Sequence, residues 1–162
     1  MANQELTFGE GEFIVSKTDL SSKITYGNAL FIKMSGYDEF ELLGQPHKIL
    51  RHEDMPSVVF KLLWSRIKEG KEIFAYVKNK TKNGDFYWVF AHVTPSFSPN
   101  KEITNYHSVR RMPSEKALKV IKPLYASLLQ QERLGGISAS ETYLNNLLTE
   151  KGLSYDEFIL SL

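Results

Sequence analysis

Residues 72–94 read EIFAYVKNKTKNGDFYWVFAHVT, and two runs within them are rich in β-branched and aromatic side chains. The first run covers residues 72–78 and the second covers residues 86–94. This composition is typical of strands. Between the runs stands Lys82-Asn-Gly-Asp85, whose Asn-Gly pair accepts the positive φ angles of a tight turn. The stretch therefore predicts an antiparallel hairpin.

Three further segments extend the hairpin into a sheet. Residues 103–111 follow a Ser-Pro-Asn-Lys turn and predict a strand. Residues 12–18 and 23–26 predict a second hairpin nearer the N-terminus. A short helix over residues 29–35, capped by Asn28, and a longer helix over residues 55–68 lie between the two hairpins. The order of elements predicts an α+β fold with a five-stranded antiparallel sheet.

The last fifty residues have a different character and divide the chain into residues 1–112 and residues 113–162. Apolar residues at helical spacing predict a helical tail with three helices, over residues 114–134, 139–150 and 155–160.

Local signals set the predicted ends of the tail helices. Pro123 lacks a backbone N–H and is expected to kink or break the first helix. Gly135-Gly136 is a second expected break. Ser138 and Ser154 each stand three residues before a glutamate, which is the capping-box pattern for a helix start.

Composition excludes several classes of function. The chain has 162 residues and no cysteine, which excludes disulfides, thiolate metal sites and a cysteinyl–cofactor adduct. Twenty basic residues against 19 acidic ones give no electrostatic case for nucleic acid or an anionic membrane.

No apolar run approaches the roughly 18 residues of a membrane span, and no signal peptide is apparent. Common catalytic motifs are absent as well. We therefore expect a cytoplasmic protein that is not an enzyme, binds no metal and does not insert into a membrane.

Several motifs occur in a fixed order along the first domain. They are Ile24-Thr-Tyr-Gly-Asn28, Gly44-Gln-Pro-His47, Arg51-His-Glu-Asp-Met-Pro56, Lys78-Asn-Lys-Thr-Lys-Asn-Gly-Asp85 and Ser108-Val-Arg110. Over roughly residues 12–112 this order resembles the flavin-binding PAS domain of the aerotaxis receptor family. It is similar above all to the stand-alone PAS proteins of bipartite energy-taxis systems.

The resemblance implies a PAS fold with short helices on one face of the sheet and FAD held noncovalently. It also implies that the redox state of the flavin sets a signal, passed by conformational change to a membrane chemoreceptor-like partner. Pairing into a homodimer follows by analogy with other PAS sheets.

The resemblance and the chemistry of the residues together select a set of cofactor-binding candidates: Asn28, Arg51, His52, Asp54, Trp64, Asn79, Trp88 and His107. Amide side chains suit the pyrimidine edge of a flavin, a tryptophan suits adenine, and Arg51 or His52 suits the pyrophosphate. Glu53 departs from the family, which often has proline at that position. His107 stands where the family is not uniformly histidine.

Structural interpretations stand beside these functional ones. Arg51 and Asp54 suit a surface ion pair, Trp64 suits core packing, and Asn28 suits a helix cap alone. Trp88 and Tyr87 alternate on one strand, so only one of them faces a pocket. A haem-binding PAS gas sensor, a small flavoprotein oxidoreductase and a cofactor-free PAS module are the alternative functions.

Overall fold

The computed structural model describes residues 3–162, so the first two residues of the predicted first domain lie outside it. Its five strands are β1 Ile14–Thr18, β2 Ile24–Gly27, β3 Ile73–Lys80, β4 Phe86–Phe97 and β5 Ile103–Arg111. They form one sheet in the order β2-β1-β5-β4-β3, and all neighbouring pairs are antiparallel. The predicted α+β class, the five-stranded sheet and both hairpins are confirmed.

The helices surround this sheet. They are α1 Ala29–Ser35, α2 Glu39–Leu42, a short 3-10 helix His47–Leu50, α3 Ser57–Lys68, α4 Glu115–Lys151 and α5 Tyr155–Leu160. Asn28 caps α1 as predicted, because its side-chain oxygen accepts a hydrogen bond from the Phe31 N–H at 2.9 Å. Gly36 ends α1 at φ 75°, in the left-handed region.

Strand β4 runs three residues past its predicted end at residue 94 and includes Pro95. The last pair between β3 and β4 is Ile73 with Val93, so Pro95 has no β3 residue opposite it. On its other side Pro95 pairs with Tyr106 of β5. A proline fits a strand where its missing N–H is not needed by the ladder.

The two faces of the sheet bury different sets of side chains. Tyr87 is fully buried on the inner face, which packs against α1 and α3. Trp88 is 5% exposed and lies on the outer face, where its ring is 6.0 Å from that of Tyr125 in α4. Because both faces are covered, the middle of β4 consists almost entirely of apolar residues.

Helix α4 is the largest departure from the predicted tail. The predicted break at Pro123 is absent, and helical backbone continues through that residue. Pro123 and Lys119 are both exposed, so water reaches the carbonyl group that the proline leaves without a donor. The predicted break at Gly135-Gly136 is present, with non-helical dihedral angles at both glycines.

The two predicted capping boxes have different outcomes. Ser154 and Glu157 form theirs, since each side chain accepts a hydrogen bond from the other residue's backbone N–H. Ser138 forms none, because helical backbone resumes directly after Gly136 and places Ser138 inside the helix. Helix α4 therefore continues past Ser138 to Lys151.

Tyrosines of the tail satisfy the free edge of β3. The Tyr125 hydroxyl donates a hydrogen bond to the Tyr76 carbonyl at 2.6 Å. The Tyr155 hydroxyl donates to the Phe74 carbonyl at 2.8 Å. Strand β3 is an edge strand, so these carbonyl groups have no partner strand on that side. The tail is thus bonded to the main chain of the sheet as well as packed on its face.

Replacing Tyr125 by phenylalanine is expected to lower the free energy of unfolding by about 1–2 kcal/mol, because a buried carbonyl group loses its donor. Denaturant unfolding followed by circular dichroism measures the change. Tyr143→Phe is the matched control, since Tyr143 is 37% exposed and its expected change is near zero. Equal midpoints for Tyr125→Phe and the wild-type protein would contradict the assignment.

Candidate functional site

A cavity of about 400 Å³ lies between the inner face of the sheet and α3. Its walls are mostly apolar and include Phe60, Leu63 and Trp64 from α3 and Val77, Ala91, Val93 and Tyr106 from the sheet. Exposed Ser21 and Lys48 mark where it opens to solvent. A pocket of this size, apolar with a few polar groups, suits an organic ligand.

Arg110 places a positive charge in the polar wall of the cavity. The residue is 4% exposed, and its guanidinium donates to Ser108 Oγ at 3.1 Å and to Ser16 Oγ. It also contacts His47 Nε2 at 3.2 Å. No carboxylate among residues 3–162 pairs with it. Burial lowers the pKa of Arg110 to about 10, so the side chain stays protonated at neutral pH.

The imidazole of His47 is held neutral by this arrangement. A guanidinium has donors only, so His47 Nε2 faces it with a lone pair. Burial, and then the positive charge of Arg110, lower the pKa of His47 to about 3. This polar wall therefore combines the fixed charge of Arg110 with a neutral imidazole.

Arg51 and Asn79 both line the cavity and are neighbours, because an isolated bridge joins their backbones. Asn79 is 4% exposed and lines the cavity, and Tyr87 is its cross-strand partner on β4. The buried Tyr87 hydroxyl lacks a hydrogen-bond partner among the described residues. Burial raises its pKa to about 12, so it remains a neutral donor. Asn79 and Tyr87 thus place polar groups on the inner face of the sheet.

Arg51 lines the cavity beside α3 and near its opening, since its backbone N–H donates to the carbonyl of Lys48 at 3.0 Å. Its guanidinium is 4.1 Å from the centre of the Phe60 ring and donates to Ser57 Oγ at 3.0 Å. Burial lowers the pKa of Arg51, and the carboxylate of Glu132 opposes this shift. The expected surface pair with Asp54 does not form.

Trp64 lines the cavity from α3 and packs edge-on against Tyr106, with 5.6 Å between ring centres. It is only partly buried, in contrast to the fully buried Ile67 on the same helix. Trp64 is therefore both part of the packing and part of the cavity wall.

Four predicted residues do not line the cavity. Asn28 uses its side chain inside the fold, where it accepts from the Val15 and Phe31 N–H groups and donates to the Phe13 carbonyl. Trp88 lies on the opposite face of the sheet, because alternation along β4 directs Tyr87 inward. Neither side chain reaches this cavity, and their direct contact with a cofactor stays a prediction.

His52 and Asp54 are the other two, and they form a local cluster beside β3. His52 Nδ1 accepts from the Asp54 N–H at 3.0 Å, and its ring packs edge-on against Phe86. The Asp54 carboxylate accepts from Lys78 Nζ at 2.7 Å, which lowers the pKa of Asp54. Burial lowers the pKa of His52. This cluster supports the loop that carries Arg51.

His107 borders the cavity, although its imidazole points away from it. Tyr106 and Ser108 precede and follow it on β5 and face inward, so His107 faces the outer side. Burial lowers the pKa of His107, and the nearby charge of Lys17 adds to this effect.

Sequence reasoning missed two residues of the polar wall, Arg110 and His47. Both stand in motifs quoted above, but neither is among the predicted cofactor-binding residues. A signal for Arg110 is present in the sequence, because it is an arginine at an inward-facing position of a predicted strand. Burying a charge there costs free energy, which indicates a functional or structural role.

Comparison with known proteins gives a family and several relatives. The sequence matches the family described as PAS fold over residues 24–110. The aerotaxis receptor of Escherichia coli (strain K12) is 38% identical over 128 residues, covering 79% of this chain and 25% of that protein. The nitrogen fixation regulatory protein of Klebsiella pneumoniae is 25% identical over 133 residues, covering 82% of this chain and 25% of that protein. The chain spans about a quarter of the length of these curated relatives.

Solved structures share the fold. A light-oxygen-voltage domain studied with a flavin analogue has a TM-score of 0.60 at 20% identity, covering 67% of this chain and 82% of that chain. The LOV domain of a blue-light activated histidine kinase from Erythrobacter litoralis EL346 has a TM-score of 0.54 at 20% identity, covering 60% and 93%. At this level of identity the likeness concerns the fold alone. Among residues 3–162, no helix is both long and apolar enough to cross a membrane.

Acidification is expected to destabilise the protein through His47. Its pKa is about 3 in the folded state and about 6.5 when unfolded, so between these values the unfolded chain binds more protons. Folding stability is therefore lost as the pH falls below about 6.5, by up to about 2 kcal/mol at pH 5.

Denaturant unfolding at pH 7 and pH 5 measures this loss in the wild-type protein and in His47→Gln. The variant is expected to lose less stability between the two pH values, while His52 and His107, whose pKa values are also lowered, retain their share. An identical loss in both proteins would show that His47 does not titrate as described.

Proposed function

The chain belongs to the PAS fold family, and on this premise we propose that it is a sensor domain whose cavity binds a flavin and responds to cellular redox state. The observation that carries the proposal is Arg110, a buried cation that faces an apolar cavity without a carboxylate partner in residues 3–162. A ligand with an electron-rich edge would relieve the cost of burying that charge. The aerotaxis and nitrogen fixation proteins named above support a regulatory role rather than a catalytic one.

The residues of the cavity fit an isoalloxazine ring. The ring is flat and apolar on both faces, and its pyrimidine edge alternates hydrogen-bond donors and acceptors. Trp64 and Val77 offer apolar walls, and Asn79 offers an amide with both functions. Arg110 and His47 complete a polar wall for the same edge.

A bound flavin supplies reversible uptake of electrons. The role of this chain's residues is to set the electrostatic environment of the flavin. Arg110 is fixed in its protonated form, so it favours the redox state in which the pyrimidine edge is more negative. Neutral His47 adds a polar group without a second charge. In this proposal the positive wall tunes the sensor.

We propose FAD rather than FMN because the family resemblance of the sequence implies FAD, and two cations of the cavity lining suit its pyrophosphate. Arg51 has a fork of donors that suits a pyrophosphate, and exposed Lys48 adds a second positive charge. Asn28, His52, Asp54 and Trp88 are given indirect roles in this proposal, as supports of the cavity walls.

The signalling context is part of the same proposal. We place residues 1–112 in the sensor unit and assign residues 113–162 to its output. The partner is a membrane chemoreceptor-like protein, the location is the cytoplasm, and a homodimer is the proposed assembly. The relationship to an aerotaxis receptor supports this choice.

The purified full chain is expected to be yellow, with the visible absorption bands of an oxidised flavin, and mass spectrometry of the released ligand should identify FAD. A haem spectrum would support the alternative gas sensor instead. A colourless protein that stays empty after incubation with FAD would refute the proposal.

Arg110→Met is expected to lower flavin affinity by about tenfold or more, because it removes the charge-assisted contacts while keeping an apolar chain of similar length. Arg111→Met is the matched control, since the neighbouring Arg111 is exposed and lies over the Phe13 ring. Titration with FAD, followed by flavin fluorescence, measures both affinities. Wild-type affinity in a folded Arg110→Met protein would sink the assignment of Arg110.

A further inference from the structure

Helix α3 begins without a cap of its own. Pro56 precedes it and provides no side-chain hydrogen bond, so its first N–H groups need a partner from elsewhere. Glu132 of α4 provides one. Its Oε1 accepts from the Ser57 N–H at 2.8 Å and its Oε2 from the Val58 N–H at 3.0 Å. A carboxylate is favourable there because it also meets the positive end of the helix dipole.

Because of its position in α4, Glu132 also contacts the part of the tail that follows the glycine break. It stands three residues before the break at Gly135-Gly136. From beyond the break, the hydroxyl of the fully buried Ser140 shares its proton between Glu132 Oε2 and the Ile137 carbonyl, each at 2.9 Å. One carboxylate thus joins α3 to both halves of α4.

Two other ionic contacts tie the tail to α3. Lys61 and Glu141 are 3.1 Å apart and both are about half exposed, so their contribution to stability is small. Arg66 pairs with Asp156 of α5 at 2.9 Å. Glu132 differs from both acidic residues because it bonds to main-chain donors and is half-buried.

Arg51 connects this contact to the cavity. It lines the cavity, and it donates to the side chain of Ser57, whose main-chain N–H is bonded to Glu132. The negative charge of Glu132 also acts on Arg51 directly. A ligand anion at the opening of the cavity would compete with Ser57 and Glu132 for this guanidinium.

We propose that Glu132 is a latch that holds residues 137–162 against α3, and that an anionic ligand group at the opening of the cavity loosens the latch by drawing Arg51 away from Ser57. The latch itself depends only on contacts within the chain. Its control by a ligand rests on the proposed function, in which the anionic group is the pyrophosphate of FAD.

Hydrogen–deuterium exchange of the full chain, read by mass spectrometry, tests the latch. In Glu132→Gln, exchange is expected to rise about tenfold or more in residues 137–162 and in the first turn of α3, because charge-assisted hydrogen bonds are lost. Strands β4 and β5 should keep their protection, which shows that the sheet is folded. Glu141→Gln, the matched control on the same helix pair, should change exchange by less than about twofold.

Unchanged exchange of the tail in Glu132→Gln would overturn the latch. Should that variant fail to fold, Glu132→Asp keeps the charge with a shorter reach, and the same tail residues should exchange faster than in the wild-type protein. Equal effects of Glu132→Gln and Glu141→Gln would also overturn it, since any lost surface charge would then suffice.

The control by ligand is tested by comparing FAD-loaded protein with flavin-free protein. Loading should speed exchange of residues 137–162 in the wild-type protein and change nothing further in Glu132→Gln. Slow, unchanged exchange in a wild-type protein shown by its spectrum to hold FAD would refute the control while leaving the proposed function intact. Failure to bind FAD would refute the proposed function together with the control, and the comparison of Glu132→Gln with Glu141→Gln would still decide the latch.

Discussion

Arg110 carries a permanent positive charge into the interior of the protein, where water no longer solvates it. Its neighbours are hydroxyl groups and a neutral imidazole rather than a carboxylate. These dipoles reduce the cost of burial without cancelling the charge, so the inner face of the sheet remains electropositive at one place. Burial and that local charge together keep His47 neutral, and the proposed choice of a flavin rests on the same charge.

The sheet connects this charge to the tail because both of its faces are buried. Inward residues of β4 contribute to the cavity wall, while outward residues such as Trp88 pack against α4. A displacement of β3 or β4 would therefore change the packing on both faces of the sheet. The loop that carries Arg51 adds a second connection, from the opening of the cavity to the start of α3.

Local sequence signals predicted most of this architecture. The aromatic hairpin over residues 72–94, the Asn28 cap and the Gly135-Gly136 break all depend on neighbouring residues, and the structure confirms them. The helix does not break at Pro123, because the cost of a proline depends on the exposure of that side of α4, and exposure depends on tertiary packing. The site was harder to predict for the same reason. Arg51, Trp64 and Asn79 line the cavity, whereas the orientation of His107 and the partners of Arg110 and Glu132 depend on strand register and on contacts between distant segments.

The tyrosine contacts to β3 affect the tendency of the protein to aggregate. An edge strand with unpaired main-chain groups is a template on which another chain can add a strand. Tyr125 and Tyr155 occupy two of those carbonyl groups, and α5 packs beside them. By occupying these carbonyl groups, the tail hinders strand addition and aggregation. If the tail detached during signalling, the edge of β3 would be free to pair with a strand of another chain. Detachment must therefore be brief, or another surface must cover β3.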